Sequence, residues 1–166
     1  VTLTDPAMTR FIMSIKTAVE LVINSAQIAC GGFVYITKMP VIRIKDLARV
    51  MIEDLSSAFG HAAEDVKTQI IGTKPGEKLY EELMSHEETR RAVELKDYFA
   101  IKPAFESLYH KMDYAFEDLV SQTVSNPYNS SNESPLSKDE LRQFLYDNHL
   151  LDECKDVSHP DQRYWP

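Results

Sequence analysis

Between Gly31-Gly32 and Pro40 the chain carries Phe33-Val34-Tyr35-Ile36-Thr37, a run of aromatic and β-branched residues through which no charged residue alternates. A strand with one face in water alternates apolar and polar residues with a period of two, and a run that fails to alternate has apolar side chains on both sides. The segment is therefore expected to be a strand buried on both faces. Strands covered on both faces are typical of parallel sheets, so a parallel sheet is expected around it, with helices supplying the cover.

Helical text of the right kind flanks this run. Ser14 is a natural cap for a helix in which Ile15, Ala18, Val19, Val22, Ile23 and Ala26 recur at three-and-four spacing, and Gly31-Gly32 ends it. After Val41-Ile42-Arg43-Ile44, a second helix is expected over 45–59, with Leu47, Ala48, Val50, Met51 and Leu55 as its stripe and Gly60 as its stop. Thr68 to Gly72 reads as a second short strand, and the Pro75-Gly76 turn after it is expected to open a third helix containing Leu79, Tyr80, Leu83 and Met84. Charge dominates 87–95, Asp97 to Ile101 reads as another strand, and 103–122 as a helix with Phe105, Leu108, Met112, Phe116 and Leu119 on one side. A loop at 126–135 leads to the capping box Ser137-Lys138-Asp139-Glu140 and a short helix, before a polar tail over 152–166.

The alternation is an α/β pattern, yet two or three strands cannot make a doubly wound sheet, because their edges would stay unpaired. These strands are expected to complete a larger sheet supplied by residues upstream of Val1. The chain opens on the strand-like Val1-Thr2-Leu3-Thr4 and reads as a segment of something longer. The expected division is a first domain over 1–125 and a loop, capped helix and tail over 126–166.

Of 166 residues, 43% are apolar, enough for a core. The formal net charge is -8 with no cluster of Lys and Arg, which argues against nucleic acid and anionic membrane as partners. The apolar stretch Ala18 to Ile23 is broken by Glu20 far short of bilayer length, and nothing at the start resembles a signal peptide, so a cytoplasmic protein is expected. Cys30 and Cys154 stand alone and are expected to be free thiols. His61, His86, His110, His149 and His159 lack ligand spacing, and no metal site is expected.

Two places could carry binding chemistry. Thr4-Asp5-Pro6-Ala7-Met8-Thr9-Arg10-Phe11 puts Arg10 in a turn ahead of the Ser14 helix, and a guanidinium meets phosphate with a planar fork of donors. Gly72-Thr73-Lys74-Pro75-Gly76-Glu77-Lys78 joins two cations to the Glu77 carboxylate. A sugar diphosphate needs positive charge at its pyrophosphate and an acceptor at its vicinal ribose hydroxyls. Taken singly, each segment reads more readily as an ordinary solvated turn.

Four segments in order, Asp5-Pro6-Ala7-Met8-Thr9-Arg10-Phe11, Gly31-Gly32-Phe33-Val34-Tyr35, Ile44-Lys45-Asp46-Leu47-Ala48 and Lys74-Pro75-Gly76-Glu77-Lys78-Leu79-Tyr80-Glu81-Glu82-Leu83, resemble the carboxy-terminal landmarks of the CapD-like polysaccharide-biosynthesis proteins. That family includes UDP-N-acetylglucosamine 4,6-dehydratases and related 5-epimerases of the extended short-chain dehydrogenase/reductase superfamily. The resemblance is strong over 1–83 and looser over 128–151. It implies the carboxy-terminal substrate-binding part of an extended Rossmann-type fold. It also implies a UDP-sugar substrate, a tightly held NAD(P), a homo-oligomer, and oxidation at the 4-position followed by loss of water and return of hydride.

Carried over residue by residue, the resemblance makes Arg10 and position 74 contacts of the diphosphate and Glu77 the holder of the ribose. Position 74 is Lys where the family motif has Arg, so charge is kept and the bidentate fork is lost. The family's Gly-rich dinucleotide turn and Tyr-x-x-x-Lys pair have no counterpart here. Tyr109, Lys111 and Tyr114 stand in the wrong context, so no catalytic or cofactor-binding residue is assigned and the isolated chain is expected to be inactive. The competing readings are a UDP-sugar 4-epimerase of the same superfamily and a non-catalytic binding module that keeps the fold.

Overall fold

The computed structural model describes residues 1–29, 31–105 and 115–152. In chain order its elements are β1 (Thr2–Leu3), β2 (Thr9–Phe11), α1 (Ile15–Ile28), β3 (Val34–Thr37), β4 (Val41–Arg43) and α2 (Ile44–Leu55). A 3-10 turn (Ser56–Phe59) and β5 (Gln69–Ile70) follow, then β6 (Glu82–Met84), α3 (His86–Thr89), β7 (Ala92–Leu95), β8 (Tyr98–Ile101), β9 (Leu119–Ser121), β10 (Tyr128–Asn129) and α4 (Lys138–Asp147). This is a mixed α/β architecture of small sheets and helices, as the alternation of patterns implied.

The chain folds as two compact units, each assembled from separated stretches. One comprises Val1–Arg10, Val41–Leu79 and the described residues of Ser134–Pro166; the other comprises Phe11–Pro40 and Tyr80–Glu133.

In the first unit β1 and β5 run parallel, Thr2 opposite Gln69 and Leu3 opposite Ile70. Of the stripe expected on α2, Val50 and Leu55 are buried and Leu47, Ala48 and Met51 half-buried; Ile52, outside that stripe, is buried as well. Gly60 ends the following turn at φ 75°, a left-handed conformation that glycine adopts without a Cβ penalty. The capping box forms as read: Ser137 Oγ accepts from the Glu140 amide and the Glu140 carboxylate accepts from the Ser137 amide. The helix it starts, α4, buries Leu141 and Leu145. Arg142 on α4 donates through Nε to both oxygens of Asp54 at 3.1 Å and through Nη2 to Glu53 at 2.7 Å, fastening α4 to the end of α2.

The second unit is built on a four-stranded sheet of order β3-β8-β7-β9, antiparallel throughout. Alternate residues of its strands enter different clusters. Tyr35, Val93, Leu95, Tyr98 and Ala100 join Leu21, Ile28, Phe33 and Phe116; Ile36, Ala92, Phe99 and Ile101 join Phe11, Met84, Val124 and Tyr128. Each side of the sheet thus carries a cluster, but the Phe33 to Thr37 run is not itself buried on both faces: β3 is an edge strand, with Val34 57% exposed and Tyr35, Ile36 and Thr37 half-buried. The direction differs from the expectation too. Side-chain pattern reports burial and is silent on whether the neighbour runs parallel, and here the neighbour β8 is antiparallel.

Two further expectations are corrected. The segment expected as a third helix, Leu79 to Met84, turns and then forms β6, paired antiparallel with β10. The periodic residues there are few, and tertiary pairing overrides so short a pattern. Within 103–122, residues 106–114 lie outside the described part, and Leu119–Ser121 is a strand paired with β7. The charged segment 87–95 contains the capped turn α3 and β7, whose apolar residues Ala92, Val93 and Leu95 are buried between charged neighbours. Helix α1 starts at Ser14 as read, yet none of its residues is buried: Ile15 is 85% and Val22 67% exposed.

Readings that rest on Cys30, Cys154, His110, His159 or Met112, or on Tyr109, Lys111 and Tyr114, lie outside the described residues. Among the described residues no helix is long and apolar enough to cross a membrane.

The burial difference gives a direct contrast. Leu141→Ala, at a fully buried site, is expected to cost about 2–5 kcal/mol in urea unfolding. Ile15→Ala, on the exposed stripe of α1, should change stability by less than about 0.5 kcal/mol.

Candidate functional site

The turn that carries Arg10 is shaped by Asp5. Its Oδ1 accepts from the Ala7 amide at 2.7 Å and its carbonyl from the Met8 amide at 3.3 Å, a local bonding pattern typical of Asp ahead of a turn. Met8 is buried, and the Thr9 amide donates to the Leu79 carbonyl at 2.9 Å. These bonds bring 9–10 alongside 77–79, although almost seventy residues of chain separate them.

Arg10 follows on the same path. Nη1 donates to the Thr9 carbonyl at 2.7 Å and Nη2 to the Lys78 carbonyl at 2.6 Å. The guanidinium is therefore oriented by backbone acceptors next to Glu77, which limits the side-chain entropy still to be lost on meeting an anion.

The 74–77 turn is closed by a reciprocal pair. The Glu77 amide donates to the Lys74 carbonyl at 3.0 Å, and the Lys74 amide donates to Glu77 Oε2 at 3.0 Å. Gly76 sits at φ 83°, which explains a glycine after Pro75, because side chains with a Cβ rarely adopt that conformation. The other carboxylate oxygen, Oε1, accepts from the Thr4 hydroxyl at 2.9 Å. Glu77 is half-buried and Lys74 exposed.

These bonds hold the Glu77 carboxyl below the usual glutamate range. The Lys74 amide is the largest cause and the Thr4 hydroxyl the next; partial burial opposes them, and the charges of Lys74 and Arg10 add a smaller contribution. The three residues singled out from sequence, Arg10, Lys74 and Glu77, thus fall in one place within the first unit. Thr4 was missed. Its partner is 73 residues away, and nothing local distinguishes it from a strand residue. Lys78 contributes its carbonyl to Arg10, where the sequence suggested a cation.

An ionised carboxylate accepting from fixed donors beside two cations can bind a polyol joined to a phosphate group. It is poorly suited to general acid work, since its proton is lost well before neutrality. The glycines of this chain, Gly31, Gly32, Gly60, Gly72 and Gly76, lack the Gly-x-Gly-x-x-Gly spacing of a dinucleotide cradle. Among the described residues, no group of three or more His, Cys, Asp and Glu is placed to hold a metal ion.

Residues 1–103 match the family described as polysaccharide biosynthesis protein. An uncharacterized membrane protein of Methanocaldococcus jannaschii is 43% identical over 145 residues, covering 87% of this chain and 40% of its own length. A UDP-glucose 4-epimerase of Rickettsia rickettsii is 31% identical, with the same coverage of each chain. A UDP-N-acetylglucosamine 4,6-dehydratase (inverting) of Campylobacter jejuni is 30% identical over 86% of this chain and 41% of its own. The X-ray structure of Pen from Bacillus thuringiensis superposes with a TM-score of 0.75 at 39% identity, over 91% of this chain and 42% of that one. The chain therefore spans about two fifths of the length of the relatives it matches.

The lowered Glu77 pKa fixes the sign of a pH effect. A carboxyl with a folded value below its unfolded value of about 4.3 stabilises the fold above that pH, and loses the contribution as pH falls through the folded value. In urea unfolding at a series of pH values, the stability difference between wild type and Glu77→Gln should be constant above about pH 5 and shrink in acid. A difference indifferent to pH would mean that the charge does not hold the turn.

Proposed function

Since this chain belongs to the polysaccharide biosynthesis protein family, we propose that it is the nucleotide-sugar-binding portion of an enzyme that acts on a UDP-sugar, a UDP-N-acetylglucosamine 4,6-dehydratase or 5-epimerase. The observation that carries this reading is the convergence of Arg10, Lys74 and Glu77 on one turn, with the carboxylate held ionised. In it, Glu77 accepts the ribose hydroxyls while Arg10 and Lys74 face the pyrophosphate. Lys74 does so as a point charge, because an ammonium lacks the planar fork.

NAD(P) belongs to the same proposal, as the cofactor that supplies hydride chemistry when bound. No residue described here is given a part in holding it, and none is given a catalytic role. Both tasks are assigned in this reading to a Rossmann half of the same parent chain, and the parent is read as a homo-oligomeric, cytoplasmic enzyme. A UDP-sugar 4-epimerase is the second reading, favoured by the name of the Rickettsia rickettsii relative. Both share the nucleotide half of the substrate, so the turn serves either.

Titration with UDP and with UDP-N-acetylglucosamine at two ionic strengths tests the site. Arg10→Ala should weaken both by about 1.5–3 kcal/mol, the worth of a charge-assisted bond to phosphate. Lys74→Ala should weaken them in a manner that fades with added salt, and Lys74→Arg should keep or improve affinity by restoring the fork. Wild-type affinity in Glu77→Ala and Lys74→Ala together would make this an ordinary turn and remove the site.

A further inference from the structure

Thr4 stands one residue ahead of the Asp5-to-Phe11 segment, half-buried, and directs its hydroxyl proton at Glu77 Oε1 across 2.9 Å. A threonine hydroxyl has a single proton to give. With Oε2 already accepting from the Lys74 amide, each carboxylate oxygen has one protein donor and the carboxylate plane is fixed from both ends. A carboxylate offers about four lone-pair positions, so each oxygen keeps acceptor capacity after these bonds. Two acceptors in a fixed plane match two adjacent hydroxyl donors. A protonated carboxyl would instead present a donor of its own to one of them.

We propose that Thr4 is a positioning residue of this site. It holds Glu77 as an ionised, oriented acceptor of both ribose hydroxyls, and so makes the site prefer ribonucleoside over 2′-deoxyribonucleoside diphosphates. The inference rests on the nucleotide reading of the turn given above. It adds a specificity that this reading does not require: cations alone would hold the pyrophosphate of either nucleotide equally well. A site built to pair with a hydroxyl rejects the analogue lacking it, since its acceptor is then left unpaired.

The experiment compares UDP with 2′-deoxy-UDP by calorimetry on wild type, Thr4→Val and Thr4→Ser, with the Glu77 carboxyl followed by carbon NMR through acid titration. Valine keeps the branched shape and removes the hydroxyl; serine restores the hydroxyl. Wild type should prefer UDP by about tenfold, the effect of one charge-assisted hydrogen bond. Thr4→Val should erase most of that preference by weakening UDP and not 2′-deoxy-UDP, and should raise the Glu77 pKa. Thr4→Ser should recover both properties. If UDP binds and Thr4→Val leaves the preference intact, whether or not the pKa moves, the inference is overturned while the nucleotide site stands. If wild type binds neither nucleotide, the nucleotide reading fails and takes this inference with it.

Discussion

The carboxylate of Glu77 is the point on which the architecture of the proposed site depends. One oxygen is bonded by the amide of Lys74 within its own turn, the other by a hydroxyl from the opening strand segment. The first bond is local and forms wherever the turn forms. The second joins residues 73 apart and exists only when β1 and β5 have paired and carried Thr4 to the mouth of the turn. Arg10 is set by the same arrangement, since its guanidinium reaches the Lys78 carbonyl only when 9–10 lies along 77–79. Local turn chemistry thus makes the shape, and strand pairing supplies the charge environment. Neither alone would gather two cations and an ionised carboxylate.

Much of this was legible in the chain because it is encoded locally. The Ser14 and Ser137 caps and the Gly60 stop each depend on residues within a few positions of one another, and each appears where the pattern put it, while the α2 stripe is buried at Val50 and Leu55. Arg10, Lys74 and Glu77 were recognisable because their segments carry several landmarks in order, although spacing alone left each as an ordinary turn. The parallel direction expected for the Phe33 to Thr37 run was not legible, because a side-chain pattern specifies which faces are dry and not the sense of the neighbouring strand. Leu79 to Met84 misled for a related reason: four apolar residues in six positions fit one helical turn or a half-covered strand, and pairing with Tyr128–Asn129 decided the matter.

Asn129 and Ser130 show how a polar segment can be structural. Both are buried, and Asn129 Oδ1 accepts from the Ser131 amide, the Ser131 hydroxyl and the Asn132 amide. Ser130 meanwhile donates its amide to the Glu81 carbonyl and accepts at its hydroxyl from the Glu81 amide. A stretch that reads as loop, rich in Asn and Ser, therefore closes the β6–β10 pair by satisfying backbone groups that would otherwise be buried without partners.

Tyr128 combines two jobs that a sequence treats as one. Its ring lies 4.8 Å from that of Phe11 and 5.0 Å from that of Phe99, while its hydroxyl accepts from the Met39 amide at 2.7 Å and donates to the Met39 carbonyl at 3.2 Å. Burial pushes the phenol pKa upward, so the oxygen stays neutral and able to act in both directions at once. A phenylalanine there would preserve every aromatic contact and still leave a backbone donor and acceptor unmatched, at about 1–3 kcal/mol for an orphaned group. In this chain, the exchange commonly regarded as the mildest among aromatic residues removes the one atom that answers both ends of a single peptide residue.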